Sequence, residues 1–112
     1  MTYDYYKTLL GEYINFGRSE EQFLGEVGYP ADLDLSADGL IAAISIIAAV
    51  TDGDFKRLVD LSGLKMTDFS RKFAIPYRTV QDWCSKDRTP PEYLPMLIGY
   101  AMIGDLPSDR EQ

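Results

Sequence analysis

Apolar residues recur three or four positions apart through most of the chain, which is the spacing of one face of an α-helix. One such stripe runs over residues 3–16 and stops at Gly17, a residue suited to ending a helix. Residues 19–22 have the polar pattern of a capping box, which predicts a short second helix that ends near Val27. The chain is therefore predicted to begin with two helices, followed by a turn over residues 29–35.

The third predicted helix spans residues 37–51 and is apolar on nearly every side. Ser36 suits its N-cap, and the polar sequence from Asp52 to Asp54 ends it. A helix that is apolar all round is buried on several sides or is partly in a subunit contact. We therefore expect this helix to lie at the centre of one core, shared by the helices before and after it.

Glycine and proline divide the rest of the chain into four shorter helices. The first begins at Phe55 and ends at Gly63, two more follow, and the last covers roughly residues 92–103. The chain is thus predicted to be all-α. Its predicted organisation has three parts, an acidic N-terminal helical extension, a compact helical domain and a polar tail: residues 1–53, 54–103 and 104–112.

Two of these short helices are predicted to form a unit around Ala74, where a tight turn joins them. The side chains expected to face each other come from both helices: Phe69, Ser70 and Phe73 from the first, and Val80, Trp83 and Cys84 from the second. Two short helices joined in this way pack nearly perpendicular to each other. The outer side of the second helix is left with four side chains: Tyr77, Arg78, Gln81 and Asp82.

The same segment carries a motif in which residue type and spacing agree. It consists of Phe69-Ser70, Phe73-Ala74-Ile75-Pro76, Arg78-Thr79, Trp83, and then Arg88-Thr89-Pro90-Pro91-Glu92-Tyr93. This resembles the Cro/repressor-like (Xre) helix-turn-helix family, in particular its small bacterial members, which read F-A-x-x-F-G-I-P-x-R-T-x-x-x-W and then R-x-P-P-E-Y. The resemblance covers residues 55–103 and implies a helix-turn-helix fold for that segment. The residues before it resemble no family.

Proteins of this family place the second helix of the motif in the major groove of DNA, where its N-terminal residues contact base edges. The resemblance implies base contacts from four side chains: Tyr77, Arg78, Gln81 and Asp82. Arginine bonds a guanine edge, glutamine an adenine edge, and aspartate suits a cytosine amino group. Contacts with DNA phosphates are implied for four others: Lys65, Arg71, Lys86 and Arg88. The family usually has a hydroxyl cap and then glutamine where this chain has Lys65 and Met66.

Charge is distributed unevenly along the chain. The formal net charge of −7 by itself argues against nucleic-acid binding, because contact with phosphates requires a basic surface. Residues 1–54 carry ten acids and two bases, residues 55–91 carry eight bases and four acids, and residues 92–112 carry four acids and one base. A basic middle between two acidic ends indicates that the segments have different roles.

The composition excludes several kinds of chemistry. With no histidine and a single cysteine, Cys84, the chain has no histidine base, no intrachain disulfide and no cysteine zinc site. We predict no metal, no cofactor and no enzymatic activity, since no nucleophile–base pair or phosphate loop is present. The first residues lack a signal-peptide pattern, and the longest apolar run, residues 40–50, is too short to span a bilayer. We therefore expect a cytoplasmic protein without a membrane segment.

The last predicted helix has more apolar surface than one core-facing side requires. Its apolar residues form two stripes: Leu94, Leu97, Ile98 and Ala101 on one, and Met96, Tyr100 and Ile103 on the other. Because a contiguous exposed apolar patch is unusual on a monomer, we expect a homodimer.

Two functional hypotheses remain open. The leading hypothesis is a sequence-specific transcriptional regulator that binds double-stranded DNA as a dimer. The alternative is a protein-binding module, such as an antitoxin or a phage-encoded inhibitor, that retains the helix-turn-helix fold. Such a module would dock a basic protein on the acidic N-terminal region around Glu20 and Glu21. The first hypothesis requires the basic middle of the chain, and the second requires its acidic first half.

Overall fold

The protein is all-helical in the computed structural model, which describes residues 2–27 and 35–106. Seven helices occur in these ranges: α1 (Tyr3–Asn15), α2 (Glu20–Val27), α3 (Ala37–Thr51), α4 (Phe55–Leu61), α5 (Met66–Lys72), α6 (Tyr77–Ser85) and α7 (Tyr93–Gly104). These bounds agree closely with the predicted ones. The predicted turn over residues 29–35 and the tail over residues 104–112 lie mostly outside the described residues. No helix within the two described ranges combines the length and apolar character needed to cross a membrane.

Short polar side chains cap the first four helices. Each accepts a hydrogen bond from the backbone N–H three residues later, at 3.0–3.3 Å. The capping residues are Thr2, Ser19, Ser36 and Asp54. Each bond satisfies one of the N–H groups that the first turn of a helix leaves without a partner. The interactions that start these helices are therefore local in sequence.

The turn between α3 and α4 is built around Gly53. Its φ angle of 71° lies in the left-handed region, which glycine adopts without the steric cost paid by other residues. The N–H of Asp54 then donates to the carbonyl of Ala49 at 3.0 Å, and the Asp54 side chain caps the next helix. The turn thus ends α3 and starts α4 at once, so that α4 folds back against α3.

α3 lies at the centre of the core. Its buried residues are distributed over most of its circumference: Gly39, Leu40, Ala43, Ile44, Ile46, Ile47, Ala48 and Ala49. α1, α2, α4 and α7 all pack against it, and the buried apolar residues of the two described ranges form one cluster. This confirms the expectation of a single core organised around the third helix.

Polar contacts fasten the N-terminal region to the rest of the molecule. The Tyr6 hydroxyl on α1 donates to the carbonyl of Met96 on α7 at 2.8 Å. Arg18 donates to the carbonyl of Thr51 at 3.0 Å and lies 3.1 Å from the Asp52 carboxylate. Burial raises the pKa of Tyr6 well above its ordinary value, so its hydroxyl stays protonated and able to donate at neutral and mildly alkaline pH.

The apolar residues of α7 are divided between core and surface differently from the two predicted stripes. Ile98 from one stripe and Ile103 from the other are both buried. Tyr93, Leu97 and Ala101 are exposed and lie four positions apart, on one side of the helix. We call these three residues the exposed α7 face. The orientation of α7 follows from Gly99. This residue is buried, and the side of α7 that carries it faces α3.

Gly99 allows α7 to approach α1 and α3 closely. A Cβ atom at this position would lie 2.6 Å from the Tyr6 hydroxyl oxygen and 2.7 Å from Cγ2 of Val50. Tyr6 is buried and hydrogen-bonded, and Val50 is β-branched and stiff. We expect Gly99→Ala to lower the free energy of unfolding by about 1–3 kcal/mol, measured by urea denaturation followed by circular dichroism.

The matched control is Gly11→Ala on α1, where nothing lies within 4 Å of an added Cβ atom. Helix propensity alone should make that variant more stable by about 0.5–1 kcal/mol. A Gly99→Ala variant as stable as the Gly11→Ala variant would contradict the close packing of α7 against α1 and α3.

Candidate nucleic-acid interface

A turn over residues 73–76 joins α5 to α6. Ala74 in this turn has a φ angle of 53°, a left-handed conformation that costs a residue with a Cβ atom about 1–2 kcal/mol. The N–H of Ile75 donates to the carbonyl of Ser70 at 2.9 Å, which holds the turn against the end of α5. The Cro/repressor-like pattern has glycine at the Ala74 position, the residue type that this backbone favours.

Aromatic rings hold the inner side of α6 against α4 and α5. The Phe55 ring on α4 meets the Trp83 ring edge-on, with centroids 5.2 Å apart, and meets the Phe69 ring of α5 at 5.8 Å. Val80 is fully buried, whereas Trp83 and Cys84 are half-buried. Burial also raises the pKa of the Cys84 thiol, which keeps it protonated and weakly nucleophilic. The inner side of α6 is therefore a packing surface, as its spacing predicted.

The outer side of α6 is open to solvent. The Arg78 side chain is 86% exposed, Tyr77 is 43% exposed, and Gln81 is also exposed. Asp82 differs, because its side chain is only 20% exposed and its carboxylate lies 3.5 Å from Nε of Arg78. Of the four residues expected to contact bases, three are accessible, and the fourth is engaged with Arg78.

A shallow cleft brings this outer side of α6 beside two other helices. Arg78, Gln81 and Asp82 line the cleft together with Lys56 of α4 and Met66 of α5. Lys56 is exposed, its ammonium group lies 3.2 Å from the Asp60 carboxylate on the same helix, and it was not among the predicted site residues. Its only signal in the sequence is membership of the basic segment, because its place beside α6 depends on how α4 packs.

The four residues expected to contact phosphates are all exposed: Lys65, Arg71, Lys86 and Arg88. Lys65 is the N-cap residue of α5 and makes no side-chain capping bond, which agrees with the absence of a hydroxyl at this position. Lys86 ends α6 in a left-handed conformation with φ 67°. The N–H of Arg88 donates to the carbonyl of Asp82 at 3.3 Å, so the chain after α6 stays close to the end of that helix.

Two further bases of the basic segment are paired with acids from other parts of the chain. Arg57 lies 2.8 Å from Glu20 on α2, and Lys72 lies 2.7 Å from Asp105 after α7. Glu20, expected with Glu21 to dock a basic protein, therefore has a partner within its own chain. Glu21 is exposed.

The part of the chain that the structure describes holds no metal-binding cluster. There, no group of three or more His, Cys, Asp or Glu side chains is arranged to hold a metal ion. Comparisons with protein-family models, with curated proteins and with solved structures found no match.

The left-handed conformation at Ala74 predicts an unusual response to glycine. Ala74→Gly should raise the free energy of unfolding by about 1 kcal/mol, because glycine adopts a positive φ without steric strain. Urea denaturation measures the change. The matched control is Ala42→Gly, at a half-buried position within α3, where the same substitution should cost about 0.5–1 kcal/mol. Destabilisation of similar size in both variants would mean that Ala74 is not strained.

Proposed function

We propose that the protein is a sequence-specific transcriptional regulator that binds double-stranded DNA through a helix-turn-helix formed by α5 and α6. The observation that carries this proposal is the exposed outer side of α6, where Arg78 and Gln81 lie in one cleft with the basic Lys56. The resemblance of residues 55–103 to the Cro/repressor-like family supports the same function. On this proposal α6 enters the major groove, and the protein works in the cytoplasm.

Arg78 is the residue best suited to read a base. Its contact with Asp82 uses Nε, which leaves both terminal nitrogens of the guanidinium for the two acceptors on a guanine edge. Asp82 is therefore proposed as a positioning residue, which limits the motion of the arginine before DNA arrives. Gln81, exposed on the same side, suits an adenine edge.

The distribution of charge fits a protein that selects its site strongly. Seven of the eight bases in residues 55–91 are exposed, and one of them, Lys72, is paired with Asp105. The other six are Lys56, Lys65, Arg71, Arg78, Lys86 and Arg88. They supply the attraction to phosphates that a DNA-binding surface requires. The net charge of −7 over the whole chain opposes non-specific attraction, so affinity must come mainly from the preferred site.

The regulator is proposed to act as a homodimer through the exposed α7 face. Tyr93 is 62% exposed and Leu97 is 45% exposed. Ala101, one turn after Leu97, has a small side chain that lets a second helix approach. Two copies related by a two-fold axis would present two α6 helices to half-sites about one helical turn apart.

The alternative function, a protein-binding module that uses the acidic N-terminal region, has less support. Glu20 lies 2.8 Å from Arg57. This ion pair joins α2 to α4 and partly neutralises the charge of Glu20. A test of that function should therefore reverse the charge at Glu21, which is exposed, and leave Glu20 intact.

Arg78→Ala should cost about 1–3 kcal/mol of binding free energy on the preferred site and relax discrimination at one base pair. Lys86→Ala should weaken all duplexes alike and reduce the salt dependence by about one unit of slope. Lys72→Ala is the control, because Lys72 lies 2.7 Å from Asp105 and is not expected to touch DNA. Fluorescence anisotropy with duplexes selected from a random pool measures all three variants.

Two results together would replace this proposal with the alternative. The first is that selection from a random duplex pool at low salt enriches no sequence. The second is that Glu21→Lys abolishes binding to a protein partner while leaving the helical signal unchanged.

Leu97→Glu should convert a dimer into a monomer, because it places a charge in the proposed contact between two α7 helices. Sedimentation at tens of micromolar, with and without DNA, measures the change. Ile41→Glu is the control, since Ile41 is 53% exposed but belongs to α3 and is not part of the exposed α7 face. A wild-type protein that sediments only as a monomer in both conditions would exclude the proposed dimer.

A further inference from the structure

A cavity of about 550 Å³ lies between α1, the end of α3, the start of α4 and the start of α7. Its floor includes Ala49, Phe55 and Leu58, each of which is at least 96% buried in the protein. Prolines 90 and 95 form part of the wall where α7 begins, and their rings limit the backbone motion of that wall. The volume lies within the range of about 300–1,000 Å³ that is typical of small-molecule sites.

The mouth of the cavity is formed by exposed residues. Ile14 on α1 is 46% exposed, and Lys7 and Glu92 are the two charged residues of the lining. Lys7 already lies 3.6 Å from Asp4 and 5.5 Å from the centre of the Tyr3 ring. Its ammonium group therefore has partners on α1, outside the cavity.

The chemistry of the lining favours a neutral occupant. The two charged residues have opposite signs, so an ion of either sign would be attracted by one of them and repelled by the other. The floor residues Ala49, Phe55 and Leu58 carry no charge, so a buried ion would lose its hydration without gaining a partner there. An uncharged apolar molecule gains from leaving water and meets neither cost.

The cavity also touches the residues that hold α6. Phe55 contributes to its floor, and the ring of the same side chain also contacts Trp83 of α6 and Phe69 of α5. A molecule that fills the cavity and displaces the Phe55 ring would change the packing of both rings. Trp83 is the only tryptophan in the chain, so its fluorescence reports this event directly.

We propose that this cavity binds a neutral, apolar small molecule, and that occupancy is transmitted through Phe55 and Trp83 to α6. Binding itself is independent of the proposed function. The effect on DNA affinity depends on that function, in which the bound molecule is an effector of the regulator.

Phenylnaphthylamine, a neutral apolar dye, tests the binding step. Its fluorescence should rise with one saturable site per chain, and the emission of Trp83 should change with the same midpoint. Ile14→Asp places a charge at the mouth and should weaken dye binding by at least about tenfold. The control Ile41→Asp carries the same substitution at a similarly exposed isoleucine outside the cavity and should leave dye binding unchanged. Circular dichroism verifies that both variants fold.

Three results would overturn the binding proposal. Dye binding that is equal in the Ile14→Asp and Ile41→Asp variants would place the dye elsewhere. Tighter binding of the anionic dye anilinonaphthalenesulfonate, lost in Lys7→Gln, would assign the cavity to an anion. Dissociation of a dimer by the neutral dye, seen in sedimentation, would mean that a second copy of the chain covers the cavity.

DNA binding tests the coupling separately. Once a duplex has been selected, a saturating concentration of the dye should change the affinity of the protein for that duplex at least about fivefold. The affinity of the Ile14→Asp variant should not change when the dye is added. Saturable dye binding with an unchanged duplex affinity would overturn the proposed coupling to α6, while the proposal that the cavity is a binding site would stand. If no duplex is selected at all, the DNA-binding proposal fails, while the dye and Trp83 measurements still decide whether the cavity is a binding site.

Discussion

Burial of α3 on several sides is the interaction on which the rest of this structure depends. Two of the helices that pack on it are short, since α2 has eight residues and α4 has seven. Helices of that length do not persist alone in water, because the cost of nucleation exceeds the gain from so few hydrogen bonds. Their stability therefore comes from the apolar surface they bury together. α3 provides that surface to α1, α2, α4 and α7 at once.

This arrangement joins the N-terminal helices and the basic segment into one cooperative unit. Arg57 on α4 pairs with Glu20 on α2, and Tyr6 on α1 donates to the Met96 carbonyl at α7. The Arg57–Glu20 ion pair contributes only up to about 1 kcal/mol, and a hydrogen bond such as that of Tyr6 has a net contribution of about 1 kcal/mol. These contacts therefore fix orientation more than they stabilise the fold. The acidic first half thus serves as support for the helices of the proposed DNA-binding surface.

Phe55 has a special position in that support. It is buried, it forms part of the cavity floor, and its ring contacts the rings of Phe69 and Trp83. A single side chain therefore contacts the centre of the fold, the proposed small-molecule site and the helix proposed to enter the major groove. Because close-packed interiors transmit small displacements, a shift of the Phe55 ring at the cavity is expected to change its packing against Phe69 and Trp83.

The sequence by itself determined the helices and their ends, because caps such as Ser36 and Asp54 and the apolar period act over three or four residues. It also identified α3 as the central helix and Arg78 and Gln81 as an exposed pair on α6. Only the tertiary structure decided which side of α7 is buried, that Lys56 lies beside α6, and that a cavity exists. These three features depend on distances between helices that are separated in the chain. A local pattern does not specify them.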